Sequence, residues 1–311
     1  MPHRRAIRIL WPLVILVLAL SRAAVAQELA VSHGTFFIFG LSTDYAVVAI
    51  DSRGTITTTN RKNRVNDRFC KVRPLSPTAF FFSTGLDTAF YVATGREIFD
   101  TRDIANDVYA NAGRSSNFET MADKWATWSE AAYRHATLMS AALKDPMAKG
   151  YFVGTKDDGE IGAGAATIGY HRDTAQHFSH TSEGFTPTAK PRVEQPNGQP
   201  VRDIEHEFTA GGLTDRAKKI MQDVGWATAR SGPDTAALHL STLVAAVRDW
   251  SGNDTIGGDI ATIVLERGQP WRWFHRPDFC PEQKAVASTA AKPPATPAAH
   301  PGGTSVGNSG K

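Results

Sequence analysis

The chain has 311 residues, 41% hydrophobic and 21% charged, enough apolar material for a real core and too balanced for wholesale disorder. Two cysteines are too few for a disulfide framework or a four-cysteine zinc site. The formal charge of +3 is uneven: Arg4, Arg5, Arg8 and Arg22 leave 30 basic against 31 acidic residues beyond residue 26, so nothing calls for a nucleic-acid partner.

Residues 1–26 read as a secretory signal peptide. Arg4, Arg5 and Arg8 form the positive start, Ile9 to Leu20 the apolar run, and Ala24-Val25-Ala26 the cleavage pattern, with Ala26 as the processing site. Arg22 closes the run well short of the roughly twenty apolar residues a spanning helix needs. No permanent membrane anchor is expected. The mature chain is expected to begin near Gln27 and to be secreted or periplasmic.

Thr35–Gly40 and Tyr45–Ile50 flank Leu41-Ser42-Thr43-Asp44 and carry a hairpin signature. Pairing Gly40 with Tyr45 brings Thr35 opposite Ile50, within one residue. Gly54–Thr59 is a third strand, followed by a charged excursion over Asn60–Arg68. Phe69–Arg73 and Ala79–Ser83 form a second strand pair about Pro74-Leu75-Ser76-Pro77. Helices are predicted over Asp87–Asn111, weakened by Gly95, and Phe118–Leu143. In the latter Met121, Trp125, Trp128, Ala132 and His135 share one face.

Strands resume at Tyr151–Gly154, Ala163–Tyr170, Ala175–Ser179 and Glu205–Thr209. Helices follow at Leu213–Val224 and Thr235–Trp250, and strands at Asp259–Leu265 and Trp271–Phe274. This order lacks the steady alternation of a doubly wound sheet. The predicted class is α+β, a four-layer αββα sandwich with two antiparallel sheets face to face and helices on both outer faces. The single domain ends near residue 283. Residues 284–311, rich in Ala, Pro and Gly, read as a disordered tail.

In the expected register Asp51 lies within a side chain's length of Thr35, and Lys71 reaches the same point if its strand is a neighbour. One hydroxyl, one acid and one amine then converge where two strands end. His33-Gly34-Thr35, Val47-Val48-Ala49-Ile50-Asp51-Ser52-Arg53, Lys71-Val72, Ser83-Thr84-Gly85 and Arg248-Asp249-Trp250-Ser251-Gly252 resemble proteasome β subunits and the related bacterial ring proteases. These are N-terminal-nucleophile hydrolases. The resemblance spans roughly Thr35–Leu265 and is strongest over Thr35–Asp87. The family's Asp stands sixteen residues after its Thr, as Asp51 does after Thr35. Its Lys stands thirty-two after; Lys71 stands thirty-six after Thr35, which makes the excursion a four-residue insertion. Gly85 falls fourteen beyond Lys71, as the family's oxyanion glycine does.

The resemblance implies autocatalytic cleavage after Gly34, with residues 27–34 as a propeptide and residues 35–283 as the hydrolase domain. It implies Thr35 as nucleophile, its freed amine as general base, Lys71 and Asp51 as the supporting pair, and Gly85 as oxyanion donor. Asp249 and Ser251 resemble the family's supporting acid and hydroxyl. No cofactor is implied. The implied substrate is a peptide or unfolded protein, and the family's habit of ring assembly leaves a homo-oligomer open. No ATP-driven unfoldase is expected, because no ATP pool exists outside the cytoplasm.

Other readings stand beside this one. Asp51 and Lys71 also fit a buried ion pair fixing strand register. Asp87 fits either a substrate pocket favouring basic or polar side chains or a helix N-terminal acid. His177 and His180, three apart on a predicted strand, fall on opposite faces and do not suggest a metal. Cys70 and Cys280 are free to bridge in an oxidising compartment, and spacing alone does not decide it. A non-catalytic envelope scaffold that keeps the fold without processing is the second functional class. A ligand-binding module has no aromatic platform to support it.

Overall fold

The computed structural model describes residues 29–33, 36–58, 63–112, 117–139, 148–171, 177–185, 204–208, 232–251 and 256–282. The expected signal segment, Ala26, Gly34, Thr35, the helix predicted at Leu213–Val224 and the tail lie outside them.

The strands are β1 (Leu29–His33), β2 (Phe36–Leu41), β3 (Tyr45–Asp51), β4 (Gly54–Thr58), β5 (Asn63–Asn66), β6 (Val72–Ser76), β7 (Ala79–Gly85), β8 (Thr88–Tyr91) and β9 (Glu97–Asp100). After helices α1 (Thr101–Ala112) and α2 (Phe118–Met139) come β10 (Ala148–Thr155), β11 (Ile161–His171), β12 (His177–Phe185) and β13 (Ile204–Phe208). Helix α3 (Pro233–Ser251), β14 (Ile260–Glu266) and β15 (Arg272–His275) complete the described chain. The strands form three five-stranded sheets, ordered β5-β4-β1-β8-β9, β12-β11-β10-β7-β6 and β13-β2-β3-β14-β15.

This corrects the expected four-layer αββα sandwich. Among the described residues the fold is mostly β, with three sheets instead of two and only three helices. Two local causes are visible. Asp87–Asp100, predicted as helix, is instead the hairpin β8–β9: Gly95 takes φ +65° in its turn, a conformation side-chain-bearing residues rarely adopt. The segment Leu29–His33, expected as part of a propeptide, is the central strand of the first sheet. It pairs antiparallel with β4 on one side and β8 on the other.

The second and third sheets share a core in which Phe37, Phe39 and Ile50 meet Phe80, Phe82 and Tyr151. Phe37 and Phe82 meet edge to face at 5.1 Å, and Phe82 stacks on Tyr151 at 4.6 Å, contacts worth about 0.5–1.5 kcal/mol each beyond area. The alternate residues of β2 and β3, including Phe36, Ile38 and Val47, pack on Ala237, Leu240 and Val244 of α3. With both faces covered, these strands read as continuous apolar runs.

Helices α1 and α2 cover the other face of the second sheet through Val108, Met121, Trp125 and Tyr133. The buried stripe of α2 follows the predicted one at Met121 and Trp125 and then departs from it: Trp128 is 42% exposed, and Ser129 and Tyr133 are buried in its place. Of the His135 side chain nothing is described.

The β2–β3 register is also corrected. Phe37 opposes Ile50 and Leu41 opposes Ala46, two residues from the expected alignment. The hydroxyl of Ser42 accepts from the amides of Asp44 and Tyr45 at 3.3 and 3.1 Å. That closes the turn inside the predicted loop and lets Leu41 join the strand.

Candidate functional site

Asp51 ends β3 and Lys71 immediately precedes β6, so the pair belongs to different sheets and not to neighbouring strands. Lys71 crosses the gap between them. Its Nζ lies 2.7 Å from Asp51 Oδ1, and both side chains are fully buried. The same Oδ1 accepts the amide of Phe36 at 2.9 Å, and Oδ2 accepts the amide of Gly257 at 3.0 Å. Asp51 thus ties the start of β2, the segment before β6 and the loop before β14 to one carboxylate. Burial pulls Lys71 below the ordinary ammonium range against the opposing pull of Asp51. Burial likewise pushes Asp51 up, offset by Lys71 and the two amides.

The segment carrying Lys71 is clamped on every side. The amide of Phe69 donates to the carbonyl of Ser52 at 3.1 Å. Arg102 lies over the Phe69 ring at 4.4 Å and donates to the Cys70 carbonyl at 2.7 Å, while a second salt bridge holds it to Asp100. Cys70 is bridged to Cys280, 210 positions further along the chain, with Cα atoms 5.2 Å apart.

Gly85 ends β7 opposite Ala148 with φ +81°, a conformation that suits glycine. Two residues on, Asp87 is wholly buried. Its Oδ1 accepts from the Ser83 hydroxyl at 2.6 Å, and its Oδ2 has no hydrogen-bond partner. The Asp87 carbonyl accepts the amide of Thr101, and Tyr133 donates to the neighbouring Leu86 carbonyl at 2.7 Å. Asp87 precedes a strand, so the helix N-terminal reading does not apply.

Burial raises the Asp87 carboxyl from 3.8 to about 6, against the pull of Ser83, Arg102 and Lys71. Unfolding returns it to its ordinary value. Between about pH 4 and 6 the folded chain therefore holds a proton that the unfolded chain has lost, and stability falls as pH rises through that window. A displacement of this size corresponds to about 3 kcal/mol. Asp87→Asn is expected to flatten this loss, which urea unfolding at pH 4 and pH 7 would measure.

The expected site is thus partly assembled. Asp51 and Lys71 are brought together, and Asp87, two residues past Gly85 at the end of β7, is within electrostatic reach of Lys71. Thr35 and Gly34 lie outside the described residues, as does the side chain of Ser251. Asp249 stands apart: it is 61% exposed on the last turn of α3 and takes Arg248 Nε at 2.7 Å. Arg248 in turn donates to the Gly258 carbonyl at 3.0 Å, bracing the loop that supplies the Gly257 amide.

Sequence reasoning missed Gly257, Ser83 and Arg102. The Gly257-Gly258 pair before the last long strand was the available signal for the first. Ser83 acts on Asp87 four residues on, but across the end of a strand where no periodicity marks the contact. Arg102 reaches the Cys70 carbonyl 32 residues away and leaves no local mark.

Among the described residues, Glu97, Asp100 and Asp103 alone have carboxylate oxygens close enough together, within 4.8 Å, for a cation. Arg102 and Arg73 already occupy Asp100 and Asp103. A groove of 630 Å³ lined by Ser76, Tyr109, Phe118, Met121, Lys156 and Asp158 lies at the end of β7 remote from Gly85 and contains none of the expected site residues. No known family model matches the chain, and no curated protein matches it.

Proposed function

We propose that the chain is a secreted or periplasmic threonine-type hydrolase of the N-terminal-nucleophile kind, cleaving peptide bonds once Thr35 is freed from Gly34. One observation carries the reading. Asp51 Oδ1 holds both the ammonium of Lys71 and the amide of Phe36, at 2.7 and 2.9 Å. A fully buried lysine is thereby fixed beside the peptide unit that follows Thr35. The Cys70–Cys280 bridge is in keeping with an oxidising compartment.

The chemistry follows from these groups. A liberated threonine amine, with a reference pKa near 8, takes the proton from its own Oγ directly or through one water. The oxygen attacks the substrate carbonyl, and the amide at Gly85 is the donor for the resulting oxyanion. The C–N bond then breaks, the ammonium returns its proton to the leaving amine, and water hydrolyses the acyl ester. Lys71 favours the neutral amine and the developing alkoxide. Asp51 keeps Lys71 charged and oriented. Asp249 serves as a positioning residue through Arg248.

Thr35→Ala is expected to abolish turnover of fluorogenic peptides while the variant, which keeps β1, still folds by circular dichroism and melts no lower than wild type. Retained turnover in that variant would end the proposal. A second reading, a non-catalytic envelope scaffold, is favoured by β1: residues 29–33 complete a sheet between β4 and β8, and a chain that never loses them has a structural use for them. For the scaffold, no peptide is turned over and residues 27–34 persist in the secreted protein.

A further inference from the structure

Strand β1 sits in a slot whose walls do not match it. His33 opposes Thr55 and Ala30 opposes Thr58 on β4, while Ser32 opposes Thr88 on β8. Continuing the second register by one step sets Asp87 against the position of His33. Directly opposed residues share a face of the sheet, so Thr55 and Asp87 flank that position from its two sides. Both are at least nine-tenths buried. Thr55 Oγ1, Thr58 Oγ1 and Asp87 Oδ2 have no hydrogen-bond partner with β1 in place. Leaving buried polar groups unmet is costly; Thr55 and Asp87 flank one position, while Thr58, three residues from Thr55, falls on the opposite face.

The charges around Asp87 sharpen the point. Lys71 from the β5–β6 connection is taken by Asp51, and Arg102 from α1 is taken by Asp100 of β9. Tyr133 of α2 spends its hydroxyl proton on the Leu86 carbonyl, and Ser83 of β7 donates to Oδ1. Three buried or nearly buried acids thus face two cations. Asp87 is the odd acid, and its open oxygen lacks a positive partner.

We propose that the slot between β4 and β8 is a binding site for an extended polypeptide carrying lysine or arginine at the position His33 holds. Asp87 and Thr55 are its specificity pair, and β1 is an intramolecular occupant. A cationic side chain there gives Asp87 Oδ2 a charged donor and balances the cluster, while the strand backbone pairs with both walls. Use of the slot as a substrate groove rests on the hydrolase reading above; its preference for a cation does not.

The test uses the secreted Thr35→Ala chain, which keeps β1 whatever the chemistry. His33→Lys is expected to melt several degrees above His33→Leu at pH 8. The gap is expected to close when Asp87→Asn is added, and to shrink as the pH falls from 8 through 5 to 4 and Asp87 takes up a proton. The pH comparison serves even if Asp87→Asn fails to fold. A leucine variant as stable as the lysine variant at pH 8, or a gap indifferent to both Asp87→Asn and pH, would overturn the proposal.

A second arm compares fluorogenic peptides ending Ser-Lys-Gly and Ser-Leu-Gly on the wild-type protein, with a kcat/KM ratio of about tenfold or more expected for lysine. A melting gap without any turnover removes the hydrolase reading and leaves the slot. Turnover without a lysine preference, and no melting gap, removes the slot and leaves the hydrolase.

Discussion

Lys71→Met is expected to lower stability by about 3–5 kcal/mol, because it leaves the Asp51 carboxylate buried without its counter-ion. The double variant Lys71→Met, Asp51→Leu is expected to recover most of that loss, since a buried ion pair replaced by apolar groups is often neutral. Loss of the Phe36 and Gly257 acceptor contacts keeps the recovery incomplete. Peptide turnover is expected to fall in both variants by about 10²–10⁴, the usual contribution of proton-transfer catalysis.

Urea unfolding and a fluorogenic assay on the same preparations separate the two roles of the pair. Recovered stability with lost turnover assigns Lys71 to the chemistry. Recovered stability with retained turnover assigns it to strand register alone.

Removing the disulfide has the largest expected effect on stability. The Cys70–Cys280 bridge closes a loop of 210 residues, which in the chain-entropy model corresponds to about 5 kcal/mol. For a domain of this size that is a fall of about 10 °C or more in melting temperature. The pair Cys70→Ser, Cys280→Ser, compared with wild type by calorimetry, measures it. Activity is expected to fall as well, because Cys70 adjoins Lys71 and its carbonyl is one of the anchors that Arg102 grips. A melting temperature unchanged by the double serine variant would show that packing alone fixes this segment.

The parts of the fold legible in the sequence are those whose signal is local. Strands β2 and β3 are continuous apolar runs ended by polar turns, and α2 and α3 carry helical periodicity over many residues. Strand β1 was not legible, because its partners at Thr55–Thr58 and Thr88–Tyr91 lie far along the chain. The first sheet is joined into one only through that non-local pairing. The hairpin β8–β9 reads as helix in the sequence because short apolar runs fit either period, and Gly95, a flaw in a helix, makes its turn.

At the site, Asp51 and Lys71 are expected from the sequence to meet, and they do. The meeting of Asp51 with Lys71 was expected between neighbouring strands of one sheet. It occurs between facing sheets, which spacing along the chain does not distinguish. The Gly257 amide contributes only backbone, 206 residues from Asp51, and no side-chain motif reports it.

The amino terminus of the secreted protein tests the account most directly. Intact mass and Edman sequencing of purified material are expected to give a chain starting at Thr35, and the Thr35→Ala protein one that keeps the preceding residues from Gln27. A wild-type chain that begins at Gln27 and stays so on incubation would contradict the account, since its threonine nitrogen would remain locked in a peptide bond.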